Sequence, residues 1–212
     1  METIAKRTAE YLLQIKAIKL QPSNPFTWAS GWESPIYCDN RKTLSFPEVR
    51  TFISNSFCEL VKSEYPDAEL IAGVATGAIA HGALVADRLG LPFIYIRSEA
   101  KSHGLGNQIE GYYEKGQKVV VIEDLISTGG SSLNAVGAVR DAGCRLLGMA
   151  AIFTYQFSKS VDAFAQADCR LLTLSNYSTL IATALESGYI GVKDLETLKI
   201  WRTDPANWGK NI

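Results

Sequence analysis

The residues best suited to chemistry lie in one run, Lys118-Val119-Val120-Val121-Ile122-Glu123-Asp124-Leu125-Ile126-Ser127-Thr128-Gly129-Gly130-Ser131-Ser132. Its four β-branched residues, Val119 to Ile122, predict a strand buried on both faces. Two adjacent acids follow, then hydroxyl and glycine residues, and a helical pattern resumes at Leu133. A buried strand that ends in carboxylates and feeds a Gly/Ser/Thr turn before a helix is a phosphate-binding arrangement. The glycines admit close backbone approach, and N–H groups at the helix start point at an anion. The plain alternative is a strand–helix turn with an N-cap serine and two solvated acids. Acids placed directly behind four apolar residues favour a ligand site.

Two further stretches stand out. Arg97-Ser98-Glu99-Ala100-Lys101-Ser102-His103-Gly104-Leu105-Gly106-Asn107-Gln108 is polar and too long for an ordinary connection, which suggests a functional loop carrying Arg97, Lys101 and His103. Its glycines make no nucleotide fingerprint, because no strand-turn-helix follows them. The chain has no GxxxxGK[ST], which argues against Walker-type ATP chemistry. The other histidine, His81, sits on a helical pattern among alanines and reads as structural or incidental rather than catalytic. The second stretch, Phe26 to Asp39, is aromatic-rich but interrupted by Gly31 and Pro35, so it makes a poor continuous strand. Two readings of it stay open: a small sheet capping the core, or a stacking surface for a flat heterocycle.

The elements that must position these residues follow from periodicity. Thr3 to Ile18 is amphipathic and predicts a helix. Pro47 suits a helix N1 position, and Tyr65-Pro66 stops that helix. Leu70 to Val74 predicts a strand running into a second small-residue turn at Ala75-Thr76-Gly77-Ala78. A helix over Ala80–Leu89, closed by Gly90, and a strand over Pro92–Ile96 follow. After Val119–Ile122 come a helix over Leu133–Ala142, a strand over Arg145–Ile152, a helix near Val161–Ala167 and a strand over Leu171–Leu174. Strands alternating with helices predict an α/β fold with a mainly parallel sheet and ligands beyond the strand C-termini. Both glycine-bearing turns fall at such ends.

Composition sets outer limits. The 212 residues suffice for one domain with a substantial core, and 21 basic against 22 acidic residues give no global field toward nucleic acid. Anion specificity must come from a local site. Cys38, Cys58, Cys144 and Cys169 are scattered without CxxC spacing, as expected of thiols in a reducing cytoplasm. No apolar run approaches membrane-spanning length, and Met1 to Lys6 lacks a signal-peptide layout.

The Val119–Ser132 segment resembles the phosphoribosyl-diphosphate signature of type I phosphoribosyltransferases. Together with Phe26–Asp39 and the Arg97-xxx-Lys101-x-His103-Gly104 loop, the resemblance narrows to the orotate phosphoribosyltransferase family and spans about Phe26 to the helices after Ser175. It implies the type I phosphoribosyltransferase fold: a single domain over residues 1–212, with a core of about 47–175 and a hood from 1–46 plus the C-terminal helices. It implies a reaction joining orotate to phosphoribosyl diphosphate, with Mg²⁺ held mainly by that substrate near Asp124. Glu123 and Asp124 match the acids that bind ribose. Leu125, Ile126, Ser127, Thr128, Gly129, Gly130 and Ser131 match the loop around the 5′-phosphate, and Ser127 also occupies a position that touches orotate. Arg97, Lys101 and His103 match a loop that closes over pyrophosphate in the neighbouring subunit, implying a homodimer. The catalytic set is then Lys101, His103 and Asp124. Both acids can serve one ribose only if the strand already turns at Asp124. Ala29, Ser98, Glu33 and Thr76-Gly77-Ala78 stand where relatives carry basic residues, and no arginine falls near Tyr155-Gln156. Backbone N–H groups near Ile36 and Tyr37 are the expected partners of the orotate carboxylate. A purine-type transferase and a non-catalytic phosphoribosyl-diphosphate sensor are the alternatives. The aromatic segment argues against the first; the near-neutral charge and the Lys101/His103 loop argue against the second.

Overall fold

The computed structural model describes residues 2–28, 30–99 and 108–209. Helix α1 (Glu2–Gln14) buries Ala9, Leu12 and Leu13. It stops short of the expected Ile18 because the chain reverses at Lys16, with φ 55°, and Ile18 becomes the first residue of strand β1 (Ile18–Leu20). The aromatic segment breaks where its glycine and proline require. β2 (Phe26–Thr27) pairs antiparallel with β3 (Glu33–Ser34), and Gly31 between them takes φ 81°. β4 (Ile36–Cys38), after Pro35, pairs antiparallel with β1. A 3-10 turn over Asn40–Ser45 leads to α2 (Pro47–Glu64), with Pro47 at N1.

The core alternates as its periodicity predicts. β5 (Leu70–Val74) is buried throughout and is followed by α3 (Ile79–Leu89), which closes on Gly90 in the left-handed conformation (φ 67°). β6 (Phe93–Ile96) and the short antiparallel β7 (Ile109–Glu110), which periodicity did not reveal, precede β8 (Lys118–Ile126). Then come α4 (Gly130–Asp141), β9 (Arg145–Thr154), α5 (Ser158–Gln166), β10 (Leu171–Asn176), α6 (Tyr177–Glu186) and α7 (Val192–Thr203). The central sheet runs β10-β9-β8-β5-β6-β7, parallel except for β7. Strand order reverses between β5 and β8, which makes the space beyond their C-termini the topological switch point.

Two boundaries differ from expectation in ways that matter. β8 continues through both acids to Ile126 instead of stopping at Ile122, because β9 supplies partners as far as Ile126↔Thr154. The strand therefore does not turn at Asp124. α4 begins at Gly130, three residues before its apolar pattern starts. All four cysteines are free, three buried and Cys38 half-buried. No helix among the described residues is long and apolar enough to cross a membrane.

The C-terminal helices close the hood side. Trp201 of α7 is fully buried, with ring centroids 5.7 Å from Trp28, 5.8 Å from Tyr155, 5.4 Å from Phe157 and 5.7 Å from Tyr177. Edge-on and tilted packing of this kind adds to the burial energy of a large ring. Trp201→Ala is expected to destabilise the fold by about 3–5 kcal/mol in denaturant titrations, since the aromatic cage is too rigid to collapse.

Candidate active site

β8 delivers its acids to the switch point, and the neighbouring elements decide what each does. Glu123 is only 4% exposed. Its carboxylate accepts from the Asp124 N–H at 2.9 Å and from the Ser132 hydroxyl of α4, also at 2.9 Å. Burial, reinforced by the Asp124 charge, raises the Glu123 carboxyl well above the usual range; burial raises Asp124 as well. Of the pair, the deeper Glu123 holds a proton more readily. Asp124 points instead into the cleft beside the β5–α3 turn. A Cβ on Gly77 would overlap the Asp124 carboxylate and force that side chain to move, so the glycine lets the acid sit close against the turn. The Ala75–Thr76 peptide there is cis.

The cleft has a volume of about 480 Å³. Ala75, Thr76 and Gly77 form one wall, Glu123, Asp124 and Leu125 the floor, and Ser127, Thr128, Gly129, Ser131 and Ser132 the far end. Gly129 takes φ 87° as the N-cap of α4; no side chain caps this helix and no acid stands in its first turn. Its first N–H groups have no intrahelical partner and carry the positive end of the helix dipole, which suits a phosphate. Cys38, Asp39 and Arg41 line the remaining side, with Arg41 Nε 2.7 Å from Asp39 Oδ1. A smaller pocket of about 250 Å³ adjoins it, lined by Thr27, Trp28, Tyr37, Cys38, Leu125, Ser127 and Tyr155. Cys38, Leu125 and Ser127 line both spaces, so the two form one continuous site.

The expected residues divide accordingly. Glu123, Asp124, Leu125, Ser127, Thr128, Gly129 and Ser131 come together on the main cleft, and Tyr37 and Ser127 on the smaller pocket. Ile126 is fully buried and Gly130 starts α4; neither lines the cleft. Arg97 stays at the root of its loop, 3.6 Å from Glu110, and lies off the cleft of its own chain. Lys101, His103 and Ala29 lie outside the described residues. One expectation needs correction. The Ile36 N–H already donates to Ser34 Oγ at 3.2 Å, Ile36 is fully buried, and Tyr37 is paired with Lys19 in the β1–β4 ladder. Those backbone groups serve the hood's own structure and not an incoming carboxylate. Thr27, Trp28, Cys38, Asp39, Arg41 and Tyr155 escaped residue-level notice. For most of them the signal was the broken aromatic segment, while Tyr155 was marked only as the place where an expected arginine is missing.

A family model for the phosphoribosyl transferase domain matches residues 44–179. An orotate phosphoribosyltransferase of Phocaeicola vulgatus is 57% identical over 208 residues, covering 98% of each chain. The chain belongs to the orotate phosphoribosyltransferase family. Among solved structures, the orotate phosphoribosyltransferase of Aeropyrum pernix aligns with a TM-score of 0.75 at 26% identity, over 86% of this chain and 99% of that one. The UMP synthase of Leishmania donovani shares the fold, with a TM-score of 0.79 at 24% identity over 93% of this chain and 42% of that longer one. Membership gives the two pockets their meaning: the glycine-turn cleft is the site of the family signature, and the aromatic pocket adjoins it.

The buried acid yields a prediction. Because the folded state holds the Glu123 proton above the range in which the unfolded chain releases it, Glu123 costs stability increasingly as pH rises above about 4.5. Glu123→Gln removes that cost, and the Ser132 hydroxyl can rotate to accept from the amide. The variant is expected to exceed the parent in stability by on the order of 1 kcal/mol at neutral pH, with the gap closing as pH falls below 4.5. Melting curves across this range check it; an equal gap at every pH would refute the buried-carboxylate account.

Proposed function

We infer that this chain transfers the phosphoribosyl group from 5-phospho-α-D-ribose 1-diphosphate to orotate, giving orotidine 5′-monophosphate and pyrophosphate in pyrimidine biosynthesis. The observation that carries this reading is the continuity of two spaces. One ends at an uncapped helix N-terminus and holds carboxylates; the other is lined by the rings of Trp28, Tyr37 and Tyr155. A ribose phosphate placed in the first puts its anomeric carbon at the mouth of the second.

Each group then has work that its position allows. N–H groups of Gly129 and Ser131, with the hydroxyls of Ser127, Thr128 and Ser131, bind the 5′-phosphate. Asp124 accepts from the ribose hydroxyls, and Glu123 holds the Asp124 backbone from beneath. Orotate lies between aromatic side chains with its N1 facing the anomeric carbon. The N1–C1′ bond forms as the C1′–oxygen bond to pyrophosphate breaks, and the electron pair leaves with the pyrophosphate. Little covalent work falls to the protein, so positioning and charge stabilisation dominate. Lys101 as a point charge and His103 as a proton-sharing donor stabilise the departing oxygen, with Arg97 at the loop base.

Mg²⁺ is the cofactor of this reading. Among the described residues no three or more His, Cys, Asp or Glu side chains are grouped to hold a metal ion. Two or three carboxylates along a wet cleft still suit a cation that takes most of its ligands from phosphates and water. Asp124 and Asp39 are the residues that would approach it, and its chemistry there is to neutralise diphosphate charge. A homodimer follows from the loop: Arg97 lies off its own cleft, which is consistent with the loop 97–108 completing the site of a second copy. The working compartment is the cytoplasm, in keeping with four free thiols.

Pyrophosphate release measured separately with orotate, uracil, hypoxanthine and adenine, in the presence of Mg²⁺, is expected to occur with orotate alone. Release with a purine base would transfer the assignment to another branch of the family. Lys101→Ala is expected to lower kcat by about 100-fold or more with an unchanged melting temperature. Mixing Lys101→Ala with Asp124→Ala subunits is expected to restore part of the activity, because one site of each mixed dimer then has both groups. Absence of recovery would mean that each site is built from a single chain.

A further inference from the structure

Three polar residues near the cleft are buried as deeply as any core side chain: Asn40 is 1% exposed, Thr43 0% and His81 1%. Such burial calls for internal hydrogen-bond partners, which their polar side-chain atoms find except His81 Nδ1. They form one chain. The Thr43 hydroxyl donates to the Asn40 carbonyl at 2.5 Å, and His81 Nε2 lies 3.2 Å from the same hydroxyl oxygen. Since that hydroxyl's proton is already committed, Nε2 must be the nitrogen that carries hydrogen and donates. Burial lowers the His81 pKa to about 4, so the ring stays neutral with a single N–H. At the other end the Asn40 amide donates to the Asp124 main-chain carbonyl at 2.6 Å, and its Oδ1 accepts from Cys38 Sγ at 3.3 Å.

The location of this chain gives it a purpose. The pairing of β8 with β5 ends at Gly73↔Ile122, two residues before Asp124. Past that point β8 is held by β9 and by Asn40. His81 stands on α3, directly after the turn whose Gly77 abuts the Asp124 carboxylate. The polar chain therefore joins three walls of the cleft: the 75–77 turn through α3, the Asp39–Arg41 side through the 3-10 turn, and the reactive end of β8. A purely apolar contact would fix none of these to within a hydrogen-bond length.

We propose that His81, Thr43 and Asn40 are positioning residues for the phosphoribosyl-transfer reaction, a buried hydrogen-bonded strut that sets the place of Asp124 relative to the 75–77 turn. The proposal rests on the transferase reading above. Misplacement of a reacting group by about 1 Å costs up to roughly 100-fold in rate, so breaking the strut reaches turnover without touching substrate.

The experiment is steady-state kinetics on the full-length protein with Thr43→Val, Thr43→Ser and Asn40→Ala, alongside melting temperatures. Thr43→Val keeps the shape and loses the hydroxyl; it is expected to lower kcat about tenfold or more while KM for orotate changes less than about twofold, because the base pocket is not moved. Thr43→Ser restores the hydroxyl and is expected to return kcat to within about threefold of the parent. Asn40→Ala, which removes the donor to Asp124, is expected to match or exceed the loss in Thr43→Val. Retention of parental kcat in both Thr43→Val and Asn40→Ala would overturn the strut. So would equal losses in Thr43→Val and Thr43→Ser, since they would report packing and not hydrogen bonding. A parent protein inactive with every base would overturn the transferase reading instead, a result that these variants cannot produce.

Discussion

A carboxyl group buried at the edge of the cleft is the constraint around which this molecule is built. Glu123 sits at the end of a strand whose preceding residues are fully buried, and it survives there because two donors meet it, the Ser132 hydroxyl and the Asp124 N–H. Both donors belong to the site. Ser132 lies in the first turn of α4, and Asp124 is the acid that faces the cleft. Satisfying one buried group thereby fixes the distance between the start of α4 and the acid that faces the cleft. The need to satisfy a buried polar group is converted into rigidity at the floor of the cleft.

Around that centre the supports are unequal in kind. β9 holds β8 by backbone hydrogen bonds along its full length, while β5 stops at Ile122 and leaves the last residues to other partners. Gly77 presses against Asp124 from one side, and Asn40 anchors its carbonyl from another. The base pocket is supported differently, by ring packing. Trp201, from near the C-terminus, braces Trp28 and Tyr155, which line the smaller pocket. The ribose end is thus set by hydrogen bonds of fixed length, and the base end by aromatic contacts that leave flat space.

Charge in the cleft is sparse for a site that receives a highly anionic substrate. Arg41 is the cation that lines it among the described residues, and it is paired with Asp39. Ala29, Ser98, Glu33 and Thr76-Gly77-Ala78, where the resemblance led one to expect basic residues, carry no positive charge. The Ile36 N–H, expected to face a carboxylate, is consumed by Ser34. Within the described residues, the start of α4, with its unpaired N–H groups, is the other positive feature of the cleft.

Local sequence was enough for the parallel α/β core, because buried strands and amphipathic helices differ in period and their order dictates a switch point between β5 and β8. The pair Glu123-Asp124 and the Ser127–Ser131 turn were readable for the same reason: a strand, a turn and a helix start lie within fifteen consecutive residues. What no local pattern carried was any contact made across the chain. Tyr155 stood out only as the place of a missing arginine until the fold put it on the smaller pocket with Trp201 packed against it. His81 read as incidental until α3 set it against Thr43. The sequence also left open whether β8 turns at its acids; that depended on how far β9 extends beside it. Residue type and spacing determined which groups are present, while the pairing of distant segments decided which way Glu123 and Asp124 face, because side-chain direction in a strand is set by its neighbours' register and not by its own residues.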